Sequence, residues 1–77
     1  MPRKRAERIV PLAPLDRLIR KANVERVSEK AAKALGVILE EFGLEIARRA
    51  EELARHAKRK TVTGRDVELA YRQWKRG

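Results

Sequence analysis

Apolar residues recur at helical spacing from Glu29 to Ala57, and this stretch dominates the pattern of the chain. It contains no proline, and at about 100° per residue its apolar positions fall on one stripe roughly 100° wide. The stripe consists of Leu35, Ile38, Leu39, Phe42, Ile46, Ala50, Leu53 and Ala57. The pattern predicts a single helix, about 43 Å long at a rise of 1.5 Å per residue, with its stripe facing a core.

The residues at both ends of this stretch suit a helix. Ser28 stands where an N-cap belongs, and Glu29 lies in the first turn, where the helix dipole favours a negative charge. Basic residues surround the last turn: Arg55, His56, Lys58 and Arg59. The segments before and after the helix are too short to cover both halves of its stripe. We therefore predict that a second copy of the chain crosses the first.

A shorter apolar pattern precedes the long helix. Four apolar residues recur three or four positions apart: Leu15, Leu18, Ile19 and Ala22. Pro14 suits the first position of a helix, which predicts that a helix of two to three turns begins there. The following connection, Asn23 to Val27, favours extended backbone at its two valines and leaves Arg26 to project.

A second connection and a third helix follow the long stretch. Residues 58–62 join a basic cluster to the extended pair Thr61-Val62, which could pair with the first connection as a minimal two-stranded contact. Thr63 and Asp66 match the capping-box pattern ahead of an apolar run. That run places four residues on one helix face: Val67, Ala70, Tyr71 and Trp74. The chain is therefore predicted to be all-α, with a short, a long and a short helix.

The charge balance favours a polyanionic partner. Twenty Lys and Arg against eleven Asp and Glu give a net charge of +9, which suits nucleic acid. A thermophile-like surface is the alternative, but it needs both signs of charge and does not explain the surplus. Residues 1–10 are predicted to be a flexible basic tail, either an arm on DNA or a disordered solubilising segment, ahead of a domain at 11–77.

Several functional classes are not expected. The chain has no cysteine and one histidine, which argues against disulfides, metal sites and cysteine catalysis. No cofactor is predicted, and nothing clusters as an enzyme site would. The longest aliphatic run, residues 37–39, is too short for a membrane span, and no signal-peptide pattern is present. A cytoplasmic protein is expected.

The chain closely resembles the archaeal histones from about Pro11 to Lys75. The resemblance is carried by the stretches PLAPLDRLIRKA, ERVSEKA, ILEEFGLEIA and LARHAKRKTVTGRDVELA. It implies the histone fold for the domain at 11–77, paired head-to-tail as an intertwined homodimer with the stripe residues Leu35, Ile38, Leu39, Phe42, Ile46 and Ala50 in its core. It also implies a nucleoid-associated protein that wraps and compacts double-stranded DNA through backbone and minor-groove contacts, largely independently of sequence.

The resemblance assigns roles to particular residues. Arg26 corresponds to the arginine that enters the minor groove, and Thr61 of the paired connection would steer its guanidinium. The predicted DNA-binding set is Arg17, Arg20, Arg26, Lys58, Lys60 and Thr61. Arg59 resembles a loop arginine that pairs with Asp66 in a structural role.

His56 is expected to join one dimer to another. By base rate it would simply interact with the helix dipole, but it forms a small patch with Leu53, and Asp66 forms another with Leu69. We expect these patches to be unused by the core of their own chain. In the resembling family such positions associate dimers into tetramers or longer superhelices.

Two features depart from the family pattern. Asn23 stands where a glycine is common, which leaves the stacking of successive superhelical turns open. Val37 and Leu44 are apolar on the face of the long helix opposite the stripe, either as ordinary exposed residues or as an extra protein contact.

Two alternative functions remain open: a histone-fold dimerisation subunit of a transcription or repair complex, and a small RNA-binding protein. A histone paralogue could replace the second copy.

Overall fold

Three helices make up the part of the chain that the structure, a computed structural model, describes, residues 9–77. They are α1 (Leu12–Arg20), α2 (Glu29–His56) and α3 (Gly64–Arg76), with no strand in that range. The predicted order of short, long and short helices is confirmed. Residues 1–8 of the predicted tail lie outside the described residues.

The predicted start of the long helix is confirmed, and its end lies one residue earlier than predicted. Ser28 caps α2, because its Oγ accepts a hydrogen bond from the Ala31 N–H at 3.0 Å. At the other end the helix stops at His56 rather than Ala57, since Lys58 adopts a left-handed φ of 59°. A residue in this conformation cannot continue a right-handed helix.

The first helix begins earlier than predicted. Pro11 is its N-cap, so that α1 starts at Leu12 and Pro14 is the third helical residue rather than the first. The physical reason is that no N–H in the first turn has an intrahelical acceptor, so a proline loses no hydrogen bond anywhere in that turn.

The chain divides into two compact units, residues 1–40 and 41–77, with the boundary inside α2. In the first unit Leu15 and Ala32 are buried. In the second, α3 packs on α2 through a cluster of Ile46, Ala50 and Ala70. None of the three helices has the length and apolar composition required to cross a bilayer within the described residues.

The apolar stripe of α2 is only partly covered within one chain. Of the six residues predicted for the dimer core, Ile46 and Ala50 are buried, whereas Ile38 is 60% exposed. Leu35, Leu39 and Phe42 are half-buried. Among the described hydrophobic residues the buried core holds only two large side chains, Leu15 and Ile46, and its remaining members are alanines. Within one chain the stripe therefore keeps part of its apolar surface exposed.

Candidate nucleic-acid interface

The N-terminal end of α1 is open to an anion. No side chain caps it, and its first turn holds no acidic residue. The N–H groups of Leu12 and Ala13 therefore have no acceptor within the helix, and such groups bind phosphate readily. Arg17 follows in the next turn, exposed and without a hydrogen bond or ion pair to any described residue.

Arg20 differs from Arg17 because it already has an acidic partner. Its Nε donates to Asp16 Oδ2 at 2.8 Å across one turn of α1. The Arg20 side chain is exposed and Asp16 is half-buried, so water screens the pair and it can open when a phosphate competes. Of the two predicted DNA contacts on α1, Arg17 thus offers the freer charge.

The first connection presents Arg26 to solvent. The Arg26 side chain makes no hydrogen bond or ion pair within the described range, and its residue is exposed. Asn23 turns the chain out of α1 with a left-handed φ of 66°, and its N–H donates to the Arg20 carbonyl at 3.0 Å. Asparagine tolerates this backbone better than most residues, so it preserves the turn without a glycine.

The C-terminal end of α2 closes in a Schellman motif. The Arg59 N–H donates to the Ala54 carbonyl and the Lys58 N–H to the Arg55 carbonyl, both at 2.9 Å. The left-handed position of this motif usually holds glycine, but here it holds Lys58. Because lysine has a Cβ, Lys58 is strained in this left-handed backbone, where glycine would not be.

Replacing Lys58 by glycine should relieve that strain. We expect Lys58→Gly to stabilise the fold by about 1 kcal/mol, raising the melting temperature by roughly 5 °C, because glycine has no Cβ to clash in this backbone. Thermal unfolding followed by circular dichroism measures the shift. Lys58→Ala is the matched control, since it removes the same charge and keeps the strain; equal melting temperatures of the two variants would contradict the interpretation.

Arg59 braces the second connection. Its Nη1 and Nη2 donate to Asp66 Oδ2 at 2.8 Å and Oδ1 at 2.9 Å, and Nη1 also donates to the Thr61 carbonyl at 3.1 Å. A bidentate arginine–carboxylate pair fixes geometry as well as charge. Lys60 and Thr61 are left exposed beside it, and neither side chain bonds to any described group.

The predicted capping box at the start of α3 is confirmed. Asp66 N–H donates to Thr63 Oγ1 at 3.3 Å, while Asp66 Oδ2 accepts from the Thr63 N–H at 2.9 Å and from Thr63 Oγ1 at 3.1 Å. Asp66 is only 3% exposed. The Arg59 hydrogen bond, followed by that of the Thr63 backbone, holds the pKa of Asp66 well below its ordinary range. The same hydrogen bond raises the pKa of Arg59.

This carboxylate should make stability depend on pH in the acid range. Because folding lowers the pKa of Asp66, its contribution is fully present above an unfolded pKa of about 4 and is lost as the pH falls below it. We expect the melting temperature of the wild type to drop between about pH 5 and pH 3 more steeply than that of Asp66→Asn. Unfolding at fixed protein concentration measures both slopes. Glu68→Gln, at an exposed site, should keep the wild-type slope, and parallel slopes for all three proteins would contradict the role of Asp66.

The structure corrects one expectation about the patches around His56. Leu53 is not unused by its own chain, because it is half-buried against the Ile46, Ala50 and Ala70 cluster. Its place on the inward stripe of α2 explains this. Leu69 is half-buried, and Asp66 already accepts four hydrogen bonds. Of the four patch residues only His56, the last residue of α2, is exposed.

Two structural features were not predicted from the sequence. One is the strained Lys58, whose only signal is its place directly after a helix. The other is Glu40 on α2, whose Oε2 accepts hydrogen bonds from the N–H groups of Ile9 at 2.9 Å and Val10 at 2.8 Å. A contact between residues about 30 positions apart cannot be predicted from a local sequence pattern. Ile9 and Val10 were included in the predicted tail, but Glu40 fixes their backbone.

Comparisons with known proteins agree on one family. The model of the family described as "Histone-like transcription factor (CBF/NF-Y) and archaeal histone" matches residues 8–71. The chain is 62% identical over 61 residues to an archaeal histone HAN1 subunit of Thermococcus zilligii, covering 79% of this chain and 91% of that protein. It is 52% identical over 63 residues to probable archaeal histone 3 of Methanocaldococcus jannaschii, covering 82% and 94% respectively.

Proposed function

The chain belongs to the archaeal histone family and has its all-α histone fold, and we propose that two copies form a head-to-tail dimer that wraps and compacts double-stranded DNA. Members of this family are structural chromatin proteins rather than enzymes. The protein accordingly associates with the nucleoid. For this chain we propose the dimer, the wrapping of DNA and any larger assembly.

The exposure of Ile38 is the main observation that supports the dimer. This residue lies on the core stripe of α2 and yet is 60% exposed, while Leu18 and Val67 on the flanking helices are 49% and 43% exposed. Each buried leucine or isoleucine contributes about 1.5–3 kcal/mol relative to an exposed one. A chain of 77 residues is near the size at which oligomerisation is needed for a sufficient core. A second copy, crossing at α2, supplies the missing cover.

The DNA-binding role is supported by the free cations on the connections and on α1. Arg17, Arg26 and Lys60 are exposed and unpaired among the described residues, while Arg59 is held in an internal pair. In a head-to-tail dimer, Arg26 of one copy lies beside Thr61 of the other at each end of a curved surface. Such a surface binds phosphates and inserts arginines into an inward-facing minor groove. Affinity should therefore depend steeply on salt and little on sequence.

Nuclease digestion of reconstituted complexes tests wrapping. The purified chain is mixed with long duplex DNA and digested to completion, and the surviving fragments are sized. We expect discrete protected lengths that increase in regular steps as more dimers are added. A continuous smear, or digestion at the rate of free DNA, would contradict wrapping and favour a dimerisation subunit of a transcription or repair complex. Preferred binding to duplex RNA in competition would instead favour the RNA-binding alternative.

Association between dimers is proposed to use His56. Its exposed imidazole would lie beside Asp66 of a neighbouring dimer and donate a hydrogen bond to Oδ1, which accepts only the Arg59 Nη2 bond among the described residues and so has a lone pair to spare. We expect His56→Ala to weaken association between dimers about tenfold, so that digestion yields the shortest protected length and few longer ones. Unchanged long fragments would contradict this role.

The partner chain can also be a paralogue. One matched relative is named as a subunit, which is compatible with pairing between different chains. Sedimentation of the purified chain distinguishes the cases, because a homodimer forms without any added partner. A chain that dimerises only after a paralogue is supplied would favour the mixed pair.

A further inference from the structure

Three arginines form a row on the outer side of α3. Arg65, Arg72 and Arg76 follow one another at spacings of seven and four residues, which at about 100° per residue places them within about 40° of one another on the helix surface. This side of α3 is turned away from Ala70, which is buried against α2. All three arginines are exposed. They are called the arginine row below, and none of them belongs to the predicted DNA-binding set.

The fold does not use the charges of the arginine row. None of its guanidinium groups makes a hydrogen bond or an ion pair with a described residue. Glu68 lies three residues after Arg65 and four before Arg72, at spacings that allow ion pairs along a helix, yet it pairs with neither. By contrast, the neighbouring Lys75 directs its ammonium group onto the ring of Tyr71, 5.6 Å from the ring centre. The row therefore presents free positive charge to solvent.

The position of Arg65 does not favour the stability of α3. It is the second residue of the helix, at the end where the helix dipole favours an acid over a cation, and it has no acidic partner among the described residues. The dipole accounts only for Arg76, which lies in the last turn. An anionic partner outside the chain accounts for all three arginines.

The arginine row suits a phosphate backbone better than a folded protein. At 1.5 Å per residue it extends about 16 Å along α3, enough to span a groove of a duplex, which is about 6 or 12 Å wide. Guanidinium groups bind phosphate in a bidentate manner. A protein partner would bury an apolar centre, whereas the exposed large apolar residues of α3, Val67, Tyr71 and Trp74, lie on its other face.

We propose that the arginine row binds the phosphates of a second DNA duplex, so that a dimer wrapped by one segment also holds another. The inference rests on the proposed function. The predicted DNA-binding set lies on α1 and on the two connections, where the wrapped segment occupies it, whereas the row extends along α3 away from the second connection. Two copies of the chain carry two such rows, whose six charges are additional to the wrapping surface.

Capture of a second duplex tests the arginine row. Wild-type protein is bound to a long immobilised duplex, unbound protein is washed away, and a labelled duplex is added over a range of salt concentrations. A variant carrying Arg65→Gln and Arg72→Gln loses four positive charges per dimer. We expect it to capture the labelled duplex at least about tenfold more weakly at moderate salt. At about 0.9 per phosphate neutralised, the slope of log affinity against log salt should fall by up to about 3.5. Equal capture by the two proteins would overturn the row.

A charge-matched variant separates the arginine row from net charge. Lys30→Gln with Arg48→Gln also removes four positive charges per dimer, from exposed sites on α2 that make no ion pair with a described residue. We expect this variant to capture the labelled duplex as the wild type does. An equal loss in both variants would overturn the row, because capture would then follow overall charge. Preferred capture of polyglutamate over the labelled duplex would also overturn it, in favour of an acidic protein.

Nuclease protection distinguishes the failure of the arginine row from the failure of the proposed function. The variant of Arg65 and Arg72 should protect DNA in the same discrete lengths as the wild type, because its wrapping surface is intact. Shortened protection would place these arginines on the wrapped segment and overturn the second duplex. A wild-type chain that wraps DNA but captures no labelled duplex overturns the row alone, and one that binds no duplex overturns both. Circular dichroism confirms that each variant retains its helical content.

Discussion

Ile38→Glu should abolish the dimer and, with it, most of the folded population at micromolar concentration. Within one chain this side chain is 60% exposed, so a glutamate there would cost little if the chain were a monomer. In the proposed dimer the same position is buried, and an unpaired buried charge destabilises by about 4 kcal/mol or more. Sedimentation equilibrium and concentration-dependent thermal unfolding measure the loss.

Leu44→Glu is the matched control for that substitution. Leu44 is 50% exposed on the same helix, but it lies on the face opposite the core stripe. We expect this variant to remain a dimer without DNA, and any effect should appear only in larger assemblies, which would reveal a protein contact at Val37 and Leu44. If Ile38→Glu sedimented and melted as Leu44→Glu does, the partner would not lie on the stripe.

Arg26→Ala should remove wrapping while leaving the fold intact. The side chain has no partner among the described residues, so its loss should not change helical content or the melting temperature. Each dimer loses two arginines, and we expect the salt slope to fall by about 2 and the affinity at moderate salt to fall at least about tenfold. Duplex binding over a range of salt concentrations, with nuclease protection alongside, gives both values.

Two further variants separate charge from geometry at this site. Arg26→Lys keeps the charge but loses the planar guanidinium, so it should largely restore the salt slope and only partly restore protection. Arg48→Ala removes an exposed arginine from α2, outside the predicted interface, and should bind nearly as the wild type does. If the Arg26 and Arg48 variants were indistinguishable, Arg26 would be an ordinary surface charge.

Local patterns predict most of the helix ends. Ser28 and Thr63 can be predicted as caps because each hydroxyl accepts a hydrogen bond from the N–H three residues later. That bond depends only on the local sequence. The error at α1 also has a local origin. A proline fits any position of the first turn, so Pro14 identifies that turn but not the residue at which the helix begins.

The features that sequence patterns miss depend on distant contacts or on strain. The bond from Glu40 to Ile9 and Val10 joins residues about 30 positions apart, and a glutamate on a charged helix gives no sign of it. Lys58 in a left-handed backbone contradicts the usual preference for glycine. The burial of the α2 stripe also cannot be predicted from one chain. The periodicity of the sequence shows which face of α2 is apolar, but not which molecule covers that face.

The linking number of closed circular DNA tests wrapping most directly. Relaxed plasmid is incubated with the wild-type chain and a topoisomerase, the protein is removed, and topoisomers are separated. We predict a change in linking number that grows with the protein-to-DNA ratio and is absent with Arg26→Ala, because only DNA wound around a curved surface constrains supercoils. Stable binding of the wild-type chain at the same ratios without any change in linking number would contradict the proposal.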